Sequence, residues 1–191
     1  MTSTTASFDA PLLDLRRWDR PADAVERALL HTVRGPVLDV GCGPGRLVAL
    51  LCDRGILALG IDAAPLAIRR AHARGAAVIA RSVYDLVPGE GEWATVLLVD
   101  GNIGIGGDPE RLLRRVRALL APDGRAVVEV EPPGAARRDG VVRLEVATEM
   151  VGLFPWSWVG ADDIARLSAA AGFSHCSREE IAGRWFARLA R

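Results

Sequence analysis

The chain has 191 residues, a formal net charge of zero and no lysine, so all 24 of its Lys and Arg positions are arginine. That length suits a single domain with a substantial core. The balanced charge argues against an extended nucleic-acid surface, and the missing lysine excludes Schiff-base and P-loop lysine chemistry.

The first ten or so residues are polar and are expected to be disordered. They lack the basic start and apolar core of a signal peptide, and no apolar run in the chain approaches membrane-spanning length. Cys42, Cys52 and Cys176 have neither metal-ligand nor C-x-x-C spacing. The expectation is therefore a soluble cytoplasmic protein with no metal, no nucleic acid and no membrane as partner, and a monomer or homodimer in solution.

Pro21 precedes a helical segment over 22–33 with Val25, Leu29 and Val33 on one face, which Gly35-Pro36 ends. Val37, Leu38 and Val40 read as a strand buried on both faces. A helix over about 46–54 stops at Gly55, and Ile56 to Ile61 is the second strand. Pro65 and Gly75 suit the start and end of the next helix, and Ala76 to Ala80 is the third strand. Ala94 to Asp100 is the fourth, followed by a glycine-rich loop.

Asp108-Pro109-Glu110 then supplies an N-cap, a first-position proline and an acidic first turn for a helix carrying Arg111, Arg114, Arg115 and Arg117. Its leucines and Val116 recur at helical spacing, so those arginines fall mainly on a solvated face. A turn at Pro122-Asp-Gly124 leads into the fifth strand, Arg125 to Glu131. Alternating strands and helices argue a mostly parallel α/β sheet covered on both sides. The tail differs. Val141 to Ala147 alternates as an antiparallel strand or arm, a helix spans about 162–171 before Gly172, and 173–179 with 184–190 form a closing hairpin.

The most informative stretch is Asp39-Val-Gly-Cys-Gly-Pro-Gly45, where a strand runs into a glycine turn at the start of a helix. Such turns let backbone amides approach a ligand closely. A dinucleotide-binding turn would space its glycines as G-x-G-x-x-G, whereas these fall as G-x-G-x-G. The segment resembles the first motif of the class I S-adenosylmethionine-dependent methyltransferases. That resemblance covers about residues 35–191 and implies a three-layer α/β/α, Rossmann-like, seven-stranded sheet, mostly parallel with a C-terminal antiparallel hairpin. Residues 1–34 would then form an N-terminal segment and helix on the substrate side, with an acceptor-side arm over about 132–160.

The resemblance also implies roles. S-adenosylmethionine would lie on Gly41, Cys42, Gly43 and Gly45, with Asp39 toward the methionine ammonium, unless Asp39 only caps the turn. Asp62, closing the second strand beside Ala63, would accept from the ribose hydroxyls. Ser82 or Asp85 would serve the adenine amino group and the amide near Val83 the ring; Tyr84 either stacks on it or packs. Asp100, Gly101 and Asn102 follow the fourth strand, where the family places residues beside the transferred methyl. Asp100 and Asn102 are candidates for orienting the acceptor or for shaping the turn.

Glu131 is the best candidate base, because His31, His72 and His175 sit away from the strand ends. The loop lacks the Asn/Asp-Pro-Pro-aromatic sequence of relatives that methylate amide or exocyclic amino nitrogens. That absence lowers DNA, RNA and protein as acceptors, and the expectation is a small molecule held by Trp18 and by Phe154, Trp156 and Trp158, an aromatic concentration in a chain with 5% aromatics. S-adenosylhomocysteine would be the other product. The competing readings are an S-adenosylmethionine binder that does not methylate and a nicotinamide-dependent oxidoreductase.

Overall fold

A computed structural model describes residues 12–14, 18–146 and 149–191. The expected disorder at the start of the chain, and Ala147 at the end of the expected arm strand, lie outside the described residues.

Strand β1 (Leu12–Asp14) precedes helix α1 (Ala24–Leu29), whose last turn tightens into a 3-10 turn at Leu30–Thr32. Asp23 caps α1 by accepting from the Glu26 amide at 2.8 Å, and Glu26 accepts from the Asp23 amide at 2.9 Å. This reciprocal box satisfies amides that the helix start would otherwise leave unpaired. Then follow β2 (Val37–Val40), α2 (Arg46–Asp53), β3 (Ala58–Asp62), α3 (Pro65–Ala73), β4 (Val78–Ala80) and β5 (Trp93–Leu98). After a 3-10 segment at Asn102–Gly107 come α4 (Pro109–Leu119), β6 (Leu120–Val130), β7 (Arg138–Val146), β8 (Glu149–Trp158), α5 (Ile164–Ala170), β9 (His175–Ile181) and β10 (Arg184–Ala190).

The main sheet has seven strands in the order β4-β3-β2-β5-β6-β10-β9. β2 to β6 run parallel, and β10 is antiparallel to both β6 and β9. This is the expected seven-stranded, Rossmann-like α/β sheet with its C-terminal antiparallel pair. Alternation along β2 divides the core, since successive side chains leave opposite faces. Leu38 and Val40 join the cluster under α4 and α5, whereas Val37 joins Leu29, Leu47, Val48 and Leu51 under α1 and α2. Each such buried side chain contributes roughly 1.5–3 kcal/mol relative to exposure.

Two features depart from expectation. The turn at Pro122-Asp-Gly124 lies inside β6 as an irregularity: Trp93 pairs with Leu120 and Thr95 with Arg125, so β6 advances farther than β5 over that step. Residues 149–158 are a strand, β8, which pairs antiparallel with β7, while β1 pairs parallel with β7 to complete a separate three-stranded sheet. Pro155 masks this in the sequence, because a proline demotes a strand pattern. Among the described residues no helix is long and apolar enough to cross a membrane.

Candidate active site

A cavity of about 470 Å³ opens at the carboxyl ends of β2 to β5, lined there by the glycine turn, by Asp62 to Pro65, by Arg81 to Tyr84 and by the loop after β5. The turn is held by other strands as much as by itself. The Gly41 and Cys42 amides donate to the Ile61 carbonyl at 2.9 and 3.1 Å, and the Asn102 side-chain amide donates to the Val40 and Gly41 carbonyls at 2.9 and 3.0 Å. A Cβ on Gly41 would strike that Asn102 nitrogen at 2.8 Å. Gly43 is the opposite case. Its φ is +52° and a Cβ there would meet nothing within 4 Å, so the turn leaves an open face beside the cavity.

One carboxylate flanks this face, and a second is buried in β2 just before the turn. Asp62 accepts from the Gly43 amide at 2.9 Å and the Ala64 amide at 2.8 Å. Burial raises its pKa, and the amides of Ala64, Gly43 and Ala63 oppose that rise by favouring the charged form. Asp39 is 2% exposed, and its Oδ2 has no hydrogen-bond partner. Burial pushes its pKa up to about 7; Arg46 opposes the shift, and Asp100, Asp62 and Glu26 add to it.

Past β4, Ser82 Oγ accepts from the Tyr84 amide at 3.2 Å. The Tyr84 hydroxyl donates to the Ile105 carbonyl at 3.3 Å, and the Arg111 guanidinium covers its ring at 4.3 Å. The neighbouring arginines are also engaged: Arg115 donates to the Val83 carbonyl at 2.8 Å, and Arg117 to the Gly172 carbonyl at 2.7 Å. Across the cavity stand Trp18, Phe154, Pro155 and Trp156. Asp19, beside Trp18, is paired with Arg70 of α3 at 2.6 Å, which ties the N-terminal segment to that helix.

A smaller pocket of about 180 Å³ lies beside the first; Asp100 and Trp156 line both, and Gly101, Glu129, Glu131 and Trp158 line only the smaller. The structure thus puts Gly41, Cys42, Gly43, Asp62, Ala63, Ser82, Val83, Asn102, Trp18 and Phe154 on the main cavity, and Gly101, Glu131 and Trp158 off it. Glu131 is displaced because its backbone amide donates to the Val159 carbonyl at 2.8 Å, turning the chain toward β8. Gly45 lies behind the turn, where a Cβ would meet that of Ala76 at 2.7 Å. Asp39 is not itself a wall of the cavity.

A family model described as "Methyltransferase domain" matches residues 14–177. The chain belongs to this methyltransferase domain family. An uncharacterized protein of Mycobacterium tuberculosis (strain ATCC 25618 / H37Rv) is 29% identical over 163 residues, covering 83% of this chain and 55% of that protein. Trans-aconitate 2-methyltransferase of Paracidovorax citrulli is 29% identical over 115 residues, covering 58% of this chain and 44% of that enzyme. The chain therefore spans about half the length of these curated relatives. A solved S-adenosylmethionine-dependent methyltransferase of Bacteroides fragilis, in complex with S-adenosylhomocysteine, superposes with a TM-score of 0.79 at 22% identity, covering 93% of this chain and 81% of that one. The fold is that of the class I methyltransferases.

For a methyltransferase domain, the residues present fit the family's nucleoside-sulfonium cofactor. The open face at Gly43 and the unpaired Asp39 oxygen are features that the protein's own contacts leave unused, and Asp62 stands on the cavity beside them.

What sequence reasoning missed is the charge network beneath them. Arg46 Nε donates to both Glu26 oxygens at 3.2 Å, and its Nη2 pairs with Asp100 at 2.5 Å. Burial works against the Arg46 charge, yet Glu26 and Asp100 more than offset it and its pKa rises. Burial also raises the pKa of Asp100, against the pull of Arg46. Arg184 of β10 holds Glu129 through Nε and Nη2, each at 2.8 Å, and stands 3.6 Å from Asp100. The only sequence trace of this network is the capping box Asp23-Ala-Val-Glu26, whose acid doubles as the partner of Arg46. Arg184 arrives through sheet topology, which no local spacing encodes.

Proposed function

We propose that this methyltransferase binds S-adenosylmethionine across the glycine turn and transfers its methyl group to a small-molecule acceptor by direct displacement. The observation that carries the reading is the open face at Gly43, with Asp62 hydrogen-bonded to its amide and an unpaired Asp39 oxygen buried at the end of the strand that leads into the turn. Asp62 would take the ribose hydroxyls with lone pairs that its amide bonds leave free. Asp39 would face the methionine ammonium, and Ser82, Val83 and Tyr84 would border the adenine. S-adenosylmethionine supplies a methyl group activated on a sulfonium, and the protein's part is to align the acceptor behind it and exclude water.

The acceptor side would be built by residues 1–34 and the arm over about 132–160, through Trp18, Phe154, Trp156 and Trp158. Asp100 would orient the acceptor side of the site. Asn102 would act by fixing the glycine turn, given its bonds to Val40 and Gly41. The free thiols of Cys42, Cys52 and Cys176 suit a reducing cytoplasm, and a monomer or homodimer would complete the site without a metal.

The test is calorimetry with S-adenosylmethionine and S-adenosylhomocysteine, followed by methyl-labelled cofactor in a metabolite extract. Both ligands should bind and the label should appear in a new small molecule. NADH binding with no response to either sulfur compound would overturn the reading. Cofactor binding with no labelled product under any extract would favour a binder that does not methylate.

A further inference from the structure

Resting on that reading, we propose that the methyl acceptor is an organic amine, received as its cation in the smaller pocket among Glu131, Asp100, Trp156 and Trp158. The charged residues lining this pocket are Asp100, Glu129 and Glu131, and no arginine or histidine is among them. Glu129 is paired with Arg184 and Asp100 with Arg46, leaving Glu131 as the acid that defines what enters.

Glu131 makes no side-chain hydrogen bond to the described residues, although its backbone is pinned on both sides by Val159 and Ala161. Asp100 is 10% exposed at its side chain; its Oδ2 is paired with Arg46 at 2.5 Å, while its Oδ1 has no hydrogen-bond partner and stands 3.6 Å from Arg184. Trp156 is 9% exposed and walls both cavities. With Asp100 it forms the boundary that the smaller pocket shares with the larger one.

Aromatic faces and an unpaired carboxylate together select a cation over an anion or a neutral group, because a ring face and a carboxylate each attract positive charge. The protein demonstrates that property at this wall: Arg138 already lies over the Trp158 ring at 5.1 Å, from the directly opposed position on β7. An acidic acceptor, such as the one named for the Paracidovorax citrulli relative, would instead meet the unpaired Glu131 carboxylate and no cation in the pocket's lining.

The chemistry balances. An ammonium entering the pocket gives one proton to the Glu131 carboxylate and becomes a neutral amine. The amine lone pair forms the nitrogen–carbon bond as the carbon–sulfur bond breaks, with that electron pair remaining on sulfur. The product leaves as an N-methylammonium ion beside S-adenosylhomocysteine, and Glu131 returns its proton to water. Glu131 is thus both the recognition group and the proton acceptor, which explains a carboxylate set just off the main cavity rather than inside it.

The test titrates the protein, saturated with S-adenosylhomocysteine, with benzylamine, benzyl alcohol and benzoate by calorimetry. Benzylamine should bind at least tenfold more tightly than the other two. Glu131→Gln keeps shape and backbone bonds and should cut benzylamine affinity about tenfold, while the affinity for S-adenosylhomocysteine stays unchanged. With methyl-labelled S-adenosylmethionine, the wild-type protein should yield labelled N-methylbenzylamine. Benzoate binding as well as benzylamine, no benzylamine binding, or indifference to Glu131→Gln overturns the amine assignment alone. Failure of S-adenosylhomocysteine to bind in the first place overturns the cofactor reading beneath it.

Discussion

The two sides of the active-site cleft are built by different means. The side formed by the ends of β2, β3 and β4 uses backbone: amides of Gly41, Cys42, Gly43 and Ala64 are fixed by a carbonyl and a carboxylate from the next strand. The side formed by β5, β6 and the three-stranded sheet uses large side chains and charge: Trp156 and Asp100 line both pockets, Phe154 the larger and Glu131 the smaller. Backbone geometry tolerates little change and suits a ligand that never varies. Side-chain walls can be rebuilt residue by residue and suit the ligand that distinguishes one enzyme from another.

The sharpest way to break the backbone-built side is Gly43→Val. The left-handed φ there costs a side-chain-bearing residue roughly 1–2 kcal/mol, and the new branched Cβ projects into the open face rather than into protein. The domain should stay folded, with a thermal transition lowered by only about 2–8 °C, while affinity for S-adenosylmethionine falls more than a hundredfold. Retained affinity would move the cofactor away from this turn.

Asp62→Ala should rank next. Hydrogen bonds to a charged group contribute roughly 1.5–3 kcal/mol, so affinity for both sulfur ligands should drop about 10- to 150-fold by calorimetry. The same change frees the Gly43 and Ala64 amides, so a modest loss of thermal stability should accompany it. A variant that loses stability but keeps full affinity would reduce Asp62 to a brace for the turn.

These two positions were legible in the sequence for the reason that makes them sensitive. Glycines at fixed spacing after a strand, and an acid closing the next strand, are local patterns imposed by backbone geometry. The acceptor side was legible only as composition. The cluster Phe154-Pro-Trp-Ser-Trp158 stood out, but its strand did not, because its pairing with β7 is interrupted by an irregularity at Leu144/Glu145 and disguised by Pro155. The placement of Glu131 on the smaller pocket depends on its backbone bond to Val159, twenty-eight positions on in a chain whose turn there has no signature. Arg46 followed the glycine turn in plain view, yet its partners Glu26 and Asp100 come from either side of it in the chain and meet only in the folded core.

Asp39 joins the two sides electrostatically and gives a pH signature. It faces Arg46, Asp100, Asp62 and Glu26, and its pKa in the folded protein, about 7, exceeds the ordinary value of 3.8. The folded state therefore keeps a proton that the unfolded chain has lost, so this group lowers stability as pH rises from about 4 to 7, with no further change above. A ligand ammonium favours the carboxylate, so binding below about 7 should release a proton, seen as a dependence of binding enthalpy on buffer ionisation. Affinity should weaken by up to about tenfold per unit as pH falls beneath that value. Asp39→Asn should bind more weakly and flatten the slope; an unchanged slope would assign the proton to another group.

The smallest expected effect tests the side-chain-built side in isolation. Phe154 lines the main cavity yet is 42% exposed, so truncation leaves little unfilled core, unlike the buried Trp156, where loss of a large aromatic costs roughly 3–5 kcal/mol. Phe154→Ala should consequently fold with near-native stability and bind S-adenosylhomocysteine as before. Once an acceptor is in hand, its KM should rise severalfold, because part of the apolar wall that excludes water from the cavity is gone. A fall in kcat with KM unchanged would mean that Phe154 acts on alignment at the methyl rather than on acceptor binding. Identical kinetics would confine acceptor contact to Trp156 and the smaller pocket behind it, and the division of labour across the cleft would then rest on the β5 and β6 ends, with the three-stranded sheet only their support.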